Sequence, residues 1–357
     1  MRSIQLADAS AEDFGGLRKM RVAIVHDDLV QWGGAEKVLL GLSEIYPDAP
    51  IYTSVYDSGN KQLTEKFGSK KIITSFLQKI PGWKILYKML LPLYPMVFEQ
   101  FDFSRYDLVI SHTTRFAKCI ITKPQTKHIC YCHTPPRFLW HFSGVGRFGI
   151  GEILLSGLRA YDQLSARRVD HFIAGSENAR KRIKKIYGKD SKVIHPFVDL
   201  KIYQDIEGFD GGYYLMIGRP KSYKRFEFVK DFCNKRGIQL RVISGGWDDE
   251  MVVWILAGCK ALIIPGIEDF GLTSLEAQVL GKPVVAFKEG GALETVVPSI
   301  TGVFFEKYSE DSLQSALIKL NSLKINPKDC RKNAEKFSKD EFIKNFKQAV
   351  DSLLYTK

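Results

Sequence analysis

Eight short apolar runs, each of strand length and separated by helical patterns or turn residues, constrain this chain more than any other feature. RVAIVH, YDLVISH, HICYCH and DHFIAGS fall in the first half, and YYLMIG, LRVISGG, ALIIPG and PVVAF in the second. Between them lie segments such as KVLLGLSEIYP and LTSLEAQVL, whose apolar spacing suits helices packed on a sheet. Strands buried on both faces and alternating with helices indicate parallel α/β architecture, because each parallel crossover lays a helix over the sheet. The pattern occurs twice, and 357 residues exceed the usual size of one domain, so two α/β domains are expected. VIHPFVDLKIYQDIEGFDGG, with its Pro, Asp and Gly, reads as the linker. The end of the chain is helical, with Leu313, Ala316, Leu317 and Leu320 in register and a last helix over roughly Lys339 to Leu354.

Composition narrows the setting. The 45% hydrophobic content is that of a globular protein with a full core, and no apolar run reaches bilayer-spanning length. MRSIQLADASAEDFGGLRKM lacks the basic start and apolar block of a secretory signal, and the strand pattern begins at Met20. Residues 1–20 are therefore read as an N-terminal extension. The six cysteines show no zinc-type spacing and suit reduced, buried thiols, so a cytoplasmic location is expected. A formal charge of +12 favours anionic partners, but nothing beyond charge points to nucleic acid.

The chemistry concentrates in ALIIPGIEDFGLTSLEAQVLGKPVVAFKEGGALETV, Ala261 to Val296. It reads as strand, loop, helix, strand, with Glu268 in the loop and Glu276 in the helix. Open α/β sheets bind ligands at the carboxyl ends of their strands. The amides of Phe270, Gly271, Leu272 and Thr273 open the helix and make an anion seat. Carboxylates beside such a seat do not balance its anion; they suit hydroxyls of the same ligand, a sugar or a ribose. Either acid alone would equally suit a solvated place near a helix N-terminus. Gly33 and Gly34, before a helix starting near Ala35, permit close backbone approach to a ligand, or form a plain turn. Arg219 and Lys224 follow a strand and suit a diphosphate, or form a solvated basic loop. His133 ends a strand in CYCHTPPRFLWHF, where a lone histidine is as readily structural as catalytic.

Other strings carry less. GVGRFG, Gly144 to Gly149, matches a dinucleotide fingerprint only as letters, with no strand before it. There is no Asp-x-Asp pair and no Gly-rich loop ending in Lys-Ser or Lys-Thr, so no metal site is expected. FLQKIPGWKILYKMLLPLYPMVF, Phe76 to Phe98, interleaves Lys with aromatic and aliphatic residues. It suits a helix lying on an anionic membrane, or a core helix with exposed lysines.

Together, EDFGLTSLEAQVLGKPVVAFKEGGALETV with its Glu-x7-Glu pair, SYKRFEF, YCHTPPRFLW and ARRVDHFIAGSENARKRI resemble the retaining glycosyltransferases of family four, particularly bacterial mannosyltransferase-like members. The likeness runs from about Arg21 to the C-terminal helix. It implies a GT-B fold, two Rossmann-like parallel-sheet domains facing across a donor cleft. Residues 21–200 would form the acceptor-side domain, 201–338 the nucleotide-sugar domain, and 339–357 a helix returning to the first. By the same resemblance Glu268 contacts the donor sugar and Glu276 the ribose diol. Arg219 and Lys224 hold the diphosphate, assisted by Gly34 and the amides near Gly271 and Leu272, and His133 faces the sugar. The implied reaction is transfer of a hexose, mannose from GDP-mannose ahead of a UDP-sugar, to a glycan or polyprenyl-lipid-linked acceptor, without metal or further cofactor, at the inner face of the membrane. One departure stands out: GGWDDEMVVWILAGCKALI joins two strands almost directly, where the family carries another strand and part of a helix that frame the base. A non-catalytic sugar- or nucleotide-binding protein is the alternative, and a nicotinamide-dependent dehydrogenase a more distant one.

Overall fold

The computed structural model describes residues 20–87, 89–140, 150–218, 224–244 and 247–355. Arg219, Lys88, the Gly144–Gly149 string and the extension through residue 19 lie outside the described residues.

Seven strands form the first sheet: β1 (Val22–His26), β2 (Ile51–Thr53), β3 (Ile72–Thr74), β4 (Leu108–Thr113), β5 (Lys127–Cys132), β6 (His171–Ala174) and β7 (Ser191–Val193). Their order is β3-β2-β1-β4-β5-β6-β7, parallel throughout. The second sheet holds β8 (Tyr213–Ile217), β9 (Leu240–Ile243), β10 (Cys259–Ile264), β11 (Val284–Phe287) and β12 (Gly302–Phe305) in the order β12-β11-β10-β8-β9, also parallel. These are the two α/β units that the alternating runs imply.

The central strands are the ones the sequence marks. Every residue of β1 and β4 is buried, as expected of strands with helices on both faces. The strands left unmarked are β2, β3 and β7, of three residues each, and β12, whose GVFF is half aromatic. Three residues carry too little periodicity to stand out. The short joint is also confirmed, since β9 leads through the helix Asp249–Ala257 directly into β10.

Phe76 to Phe98 is not the continuous helix expected. It breaks into a 3₁₀ turn Phe76–Lys79, a helical turn Trp83–Leu86, a 3₁₀ turn Leu91–Leu93 and a short helix Tyr94–Glu99. Pro81 precedes Gly82, whose φ of 74° is left-handed, while Pro92 and Pro95 start new turns. Leu77, Tyr94, Val97 and Phe98 are buried in the core, which ties the segment down at both ends. Among the described residues no helix is long and apolar enough to cross a membrane.

The helix Glu310–Ser322 buries Leu313, Ala316, Leu317 and Leu320, and Ser309 caps it by accepting from the Ser312 amide. The last helix, Lys339–Tyr355, packs Phe342, Phe346, Ala349 and Val350 into the core beneath β1 and β4. The chain therefore ends on the first sheet, and its aromatic contacts with Tyr131 and Phe197 join the two halves.

Candidate active site

The carboxyl ends of β10 and β1 meet across one cleft. After β10 the loop carries Glu268, Asp269 and Phe270, then Gly271 at φ 94°, a left-handed conformation that favours glycine, and the helix Leu272–Val279. The turn at Gly290 and Gly291 clamps this loop. The Gly291 amide donates to the Glu268 carbonyl at 2.9 Å, and a Cβ on Gly291 would stand 2.2 Å from Phe270 Cα. Backbone is thus fixed while the acidic side chains face outward. The Ser274 amide already donates to the Gly271 carbonyl at 3.0 Å, whereas the amides of Leu272 and Thr273, at the very start of the helix, precede any carbonyl within it that they could bond.

Each acid holds a lysine. Glu268 Oε1 lies 3.2 Å from Lys224 Nζ, which follows β8 in the same domain. Glu276 Oε1 lies 2.7 Å from Lys37 Nζ, which comes from the first domain. Lys37 is half-buried; burial alone would lower its pKa, but Glu276, Asp249 and Asp199 raise it above the usual lysine value. It is therefore an ammonium clamped between domains.

On the first-domain side, Gly33 caps the helix Gly34–Ile45 in extended geometry. A Cβ at Gly34 would come within 3.1 Å of Leu272 Cδ1, so two helix N-termini approach each other across the cleft. Further links close the same face. Trp32 Nε1 donates to Asp249 at 3.0 Å. Arg137 and Arg182 both pair with Asp269, and Ser176 Oγ donates to the Asp269 carbonyl at 2.7 Å. The Glu177 and Asn178 amides, opening the helix Glu177–Tyr187, donate to the Glu294 carboxylate, which His195 also touches at 2.9 Å.

His133 is not isolated. Its Nε2 lies 2.7 Å from His112 Nε2, and burial pushes its pKa down to about 4, leaving it neutral at ordinary pH. His112 Nδ1 lies 2.9 Å from His26 Nδ1. Next to His26, buried Asp27 accepts from the amides of Thr114, Phe116 and Ala117 and the hydroxyls of Thr113 and Thr114.

A cleft with facing helix N-termini, acids and lysines suits a ligand that carries both phosphate and hydroxyl groups. Two family models match the chain: Glycosyltransferase Family 4 over residues 32–202, and Glycosyl transferases group 1 over residues 201–337. The chain belongs to glycosyltransferase family 4. Relatives agree. An α-1,3/1,6-mannosyltransferase ALG2 of Dictyostelium discoideum is 34% identical over 149 residues, which is 41% of this chain and 35% of that protein. The ALG2 of Saccharomyces cerevisiae is 24% identical over 377 residues, covering 80% of this chain and 72% of its own. The match thus spans about a third of the length of the first relative and most of the second. Among solved structures, Anabaena HepE in complex with UDP and glucose superposes with a TM-score of 0.65 at 17% identity, covering 92% of this chain and 99% of that one. This likeness shows the GT-B fold.

Within this family 4 glycosyltransferase, Gly33, Gly34, Lys224, Glu268, Phe270, Gly271, Leu272, Thr273 and Glu276 all lie at the facing ends of the two sheets. His133 is joined to them through its neighbour Thr134, whose hydroxyl accepts from Arg182, the partner of Asp269. Sequence reading missed Lys37, Asp269, His26 and His112. Lys37 stands one helical turn after Gly34, and Asp269 adjoins Glu268. The signal for the histidines was in view: three of the marked runs, RVAIVH, YDLVISH and HICYCH, close on or next to His26, His112 and His133. Among the described residues no group of three or more His, Cys, Asp or Glu is arranged to hold a metal ion.

Proposed function

We propose that this chain transfers a hexose from a nucleotide sugar, mannose from GDP-mannose ahead of a UDP-sugar, to a glycan or polyprenyl-lipid-linked acceptor with retention at the anomeric carbon. The observation that carries it is the pairing of both cleft acids with lysines. A donor brings hydroxyls for the acids and a diphosphate for the amines, so it can take up both partners of each pair at once. Glu276 then accepts from the ribose diol and Glu268 from the sugar. Lys224, Arg219 and the amides of Gly34, Gly271 and Leu272 receive the diphosphate, with His133 at the sugar end. Fixed donors aimed at the leaving diphosphate stabilise the charge that builds there in the transition state. A phosphate oxygen freed on that face takes the acceptor hydroxyl's proton as the new glycosidic bond forms.

The two named relatives are α-1,3/1,6-mannosyltransferases, which favours mannose, whereas the HepE complex holds UDP and glucose, which makes the base the first thing to test. Contact with an anionic membrane draws support from Ile85, Met89 and Met96, exposed at 80%, 73% and 60% beside exposed Lys79 and Lys84. Ile85 and Met96 stand on separate short helical segments, Trp83–Leu86 and Tyr94–Glu99, with Met89 between them, so the segment would place single apolar side chains among headgroups instead of one continuous apolar face. The deciding measurement is thermal stabilisation by GDP, UDP, ADP and their sugar conjugates, followed by transfer assays, because a ligand selective for the folded state raises stability. Selective stabilisation by GDP-mannose with transfer supports the reading. Stabilisation without transfer or donor hydrolysis favours a sugar-nucleotide binding protein.

A further inference from the structure

β1, β4 and β5 lie side by side, and each brings a histidine to the cleft end of the first sheet. The three rings form a single file. Glu36 Oε1 stands 3.6 Å from His26 Nε2, His26 Nδ1 stands 2.9 Å from His112 Nδ1, and His112 Nε2 stands 2.7 Å from His133 Nε2. The first two rings are nearly coplanar, with 21° between planes, so they meet edge to edge through their nitrogens. Glu36, His26 and His112 are all buried, and the transfer steps above use none of them.

We propose that Glu36, His26 and His112 form a proton relay that decides which ring nitrogen of His133 carries a proton toward the cleft. Its consequence for transfer rests on the assignment of His133 to the sugar end of the donor; the relay itself does not.

A neutral imidazole has one N–H donor and one acceptor nitrogen. Each N···N contact needs a donor on one side only, so the state of His26 sets the rest of the file. Burial works against a charge on His26, but Glu36, Asp27 and Asp28 outweigh it and raise its pKa above the usual histidine value. Burial together with the two flanking histidines pushes His112 well below it. When His26 is an imidazolium, it donates through Nε2 toward Glu36 and through Nδ1 to His112. His112 must then accept at Nδ1 and carry its proton on Nε2, donating to His133 Nε2. His133 is left with its proton on Nδ1, as a donor.

Loss of one proton from this file reverses every link. The Nδ1 proton of His133 passes to a base in the cleft, either water or an anionic phosphate oxygen. The Nε2 proton of His112 moves to His133 Nε2, and the Nδ1 proton of His26 moves to His112 Nδ1. Three N–H bonds break; two N–H bonds and one bond to the outside base form. The positive charge leaves His26, and His133 Nδ1 becomes an acceptor. Other charges facing the file are already matched: Arg115 pairs with Asp28, and Asp269, facing His133, pairs with Arg137 and Arg182. Tyr131 stacks beside His112 while its hydroxyl donates to the Ile194 carbonyl.

The test is ¹⁵N NMR of the full chain labelled at its seven histidines, followed across pH, because ring nitrogen shifts report tautomer and charge directly. The expected result is one common midpoint: His26 goes from doubly to singly protonated as His112 moves from Nε2–H to Nδ1–H and His133 from Nδ1–H to Nε2–H. Glu36→Gln removes the charge that holds the proton on His26 and should move all three transitions together to lower pH. If that variant does not fold, the wild-type titration alone decides. Separate midpoints, or His133 keeping one tautomer while His26 titrates, overturn the relay. In transfer assays Glu36→Gln should shift the pH profile in the same direction. A tautomer switch with an unshifted profile supports the relay and removes His133 from the sugar end.

Discussion

Asp27 and Glu268 occupy matching places, each just beyond the carboxyl end of a central parallel strand, β1 in one domain and β10 in the other. Their surroundings differ. Asp27 is 2% exposed and accepts five hydrogen bonds, three from backbone amides. Glu268 is 23% exposed at its side chain and, among the described residues, its carboxylate meets the Lys224 ammonium at 3.2 Å. A carboxylate whose lone pairs are filled by the protein has nothing left for a ligand and serves to fix a loop. One that holds a single mobile amine can exchange it. Position at the end of a strand therefore does not tell a structural acid from a ligand-binding one; the count of fixed donors does.

The sharpest way to break this comparison is to remove the filled acid. Asp27→Asn turns an amide group toward backbone N–H donors and leaves part of a buried network unpaired, at a cost of about 3 kcal/mol in chemical denaturation at neutral pH. Burial alone would raise the pKa of Asp27, but Arg115, His26 and the Thr114 and Ala117 amides hold it below the usual carboxylate value. Its contribution is therefore present above the unfolded carboxyl pKa of roughly 4 and lost as pH falls through the folded value. The gap between variant and wild type should close in acid. Equal stability at pH 7 would mean that the five hydrogen bonds do not hold the loop.

Removing the open acid should act on reaction and spare folding. Glu268→Ala is expected to lower turnover by roughly a hundredfold, the scale of one preorganised polar group at a reacting centre, while GDP binds nearly as before. Lys224→Ala, which takes away the other half of the pair, should lower transfer by roughly tenfold to a thousandfold on the same scale. Isothermal titration with GDP separates the two ends: loss of nucleotide binding in Glu268→Ala would move that residue from the sugar to the nucleotide. Glu276→Gln probes the pair that spans the domains. An amide keeps the shape but offers one acceptor oxygen in place of a charged pair, so donor affinity should fall roughly tenfold, as for a hydrogen bond to a charged group. Unchanged affinity would leave Glu276 as no more than the partner of Lys37.

How much of this was legible follows from the range of the forces involved. β1, β4, β5 and β10 announce themselves, since a strand buried on both faces needs an unbroken apolar run. β3 and β7 sit at sheet edges with three residues each and owe their extended form to the neighbour they pair with. The loop and helix bearing Glu268 and Glu276 form one local unit and could be read from one stretch. Lys37 could not, because its partner is 239 residues away and the two meet only when the domains face each other. His133 looked isolated for the same reason: its neighbours arrive from β1 and β4, and only the strand order β1-β4-β5 makes them adjacent. In Phe76 to Phe98 the composition suggested one helix, but Pro81, Gly82, Pro92 and Pro95 decided the backbone.

The smallest expected effect is that of chelation. A departing nucleoside diphosphate must have its growing charge offset, and enzymes use a divalent ion or fixed donors for this. A bound ion needs a set of hard oxygen ligands already gathered in the cleft. Here the acids nearest the donor region are each engaged by a cation: Glu268 by Lys224, Glu276 by Lys37, and Asp269 by Arg137 and Arg182. Bringing a metal to any of them would first require breaking an ion pair. The same lysines, with the first-turn amides at Leu272 and Gly34, instead present positive charge and N–H dipoles to the place where the diphosphate would lie. Transfer measured with excess EDTA should therefore match the untreated rate, and added Mg²⁺ or Mn²⁺ should change it little. Activity lost on chelation and restored by either ion would show that the diphosphate is handled through a metal. In that case the ion would occupy an acid that is assigned here to the ligand's hydroxyls, and Glu268 would no longer be free for the sugar.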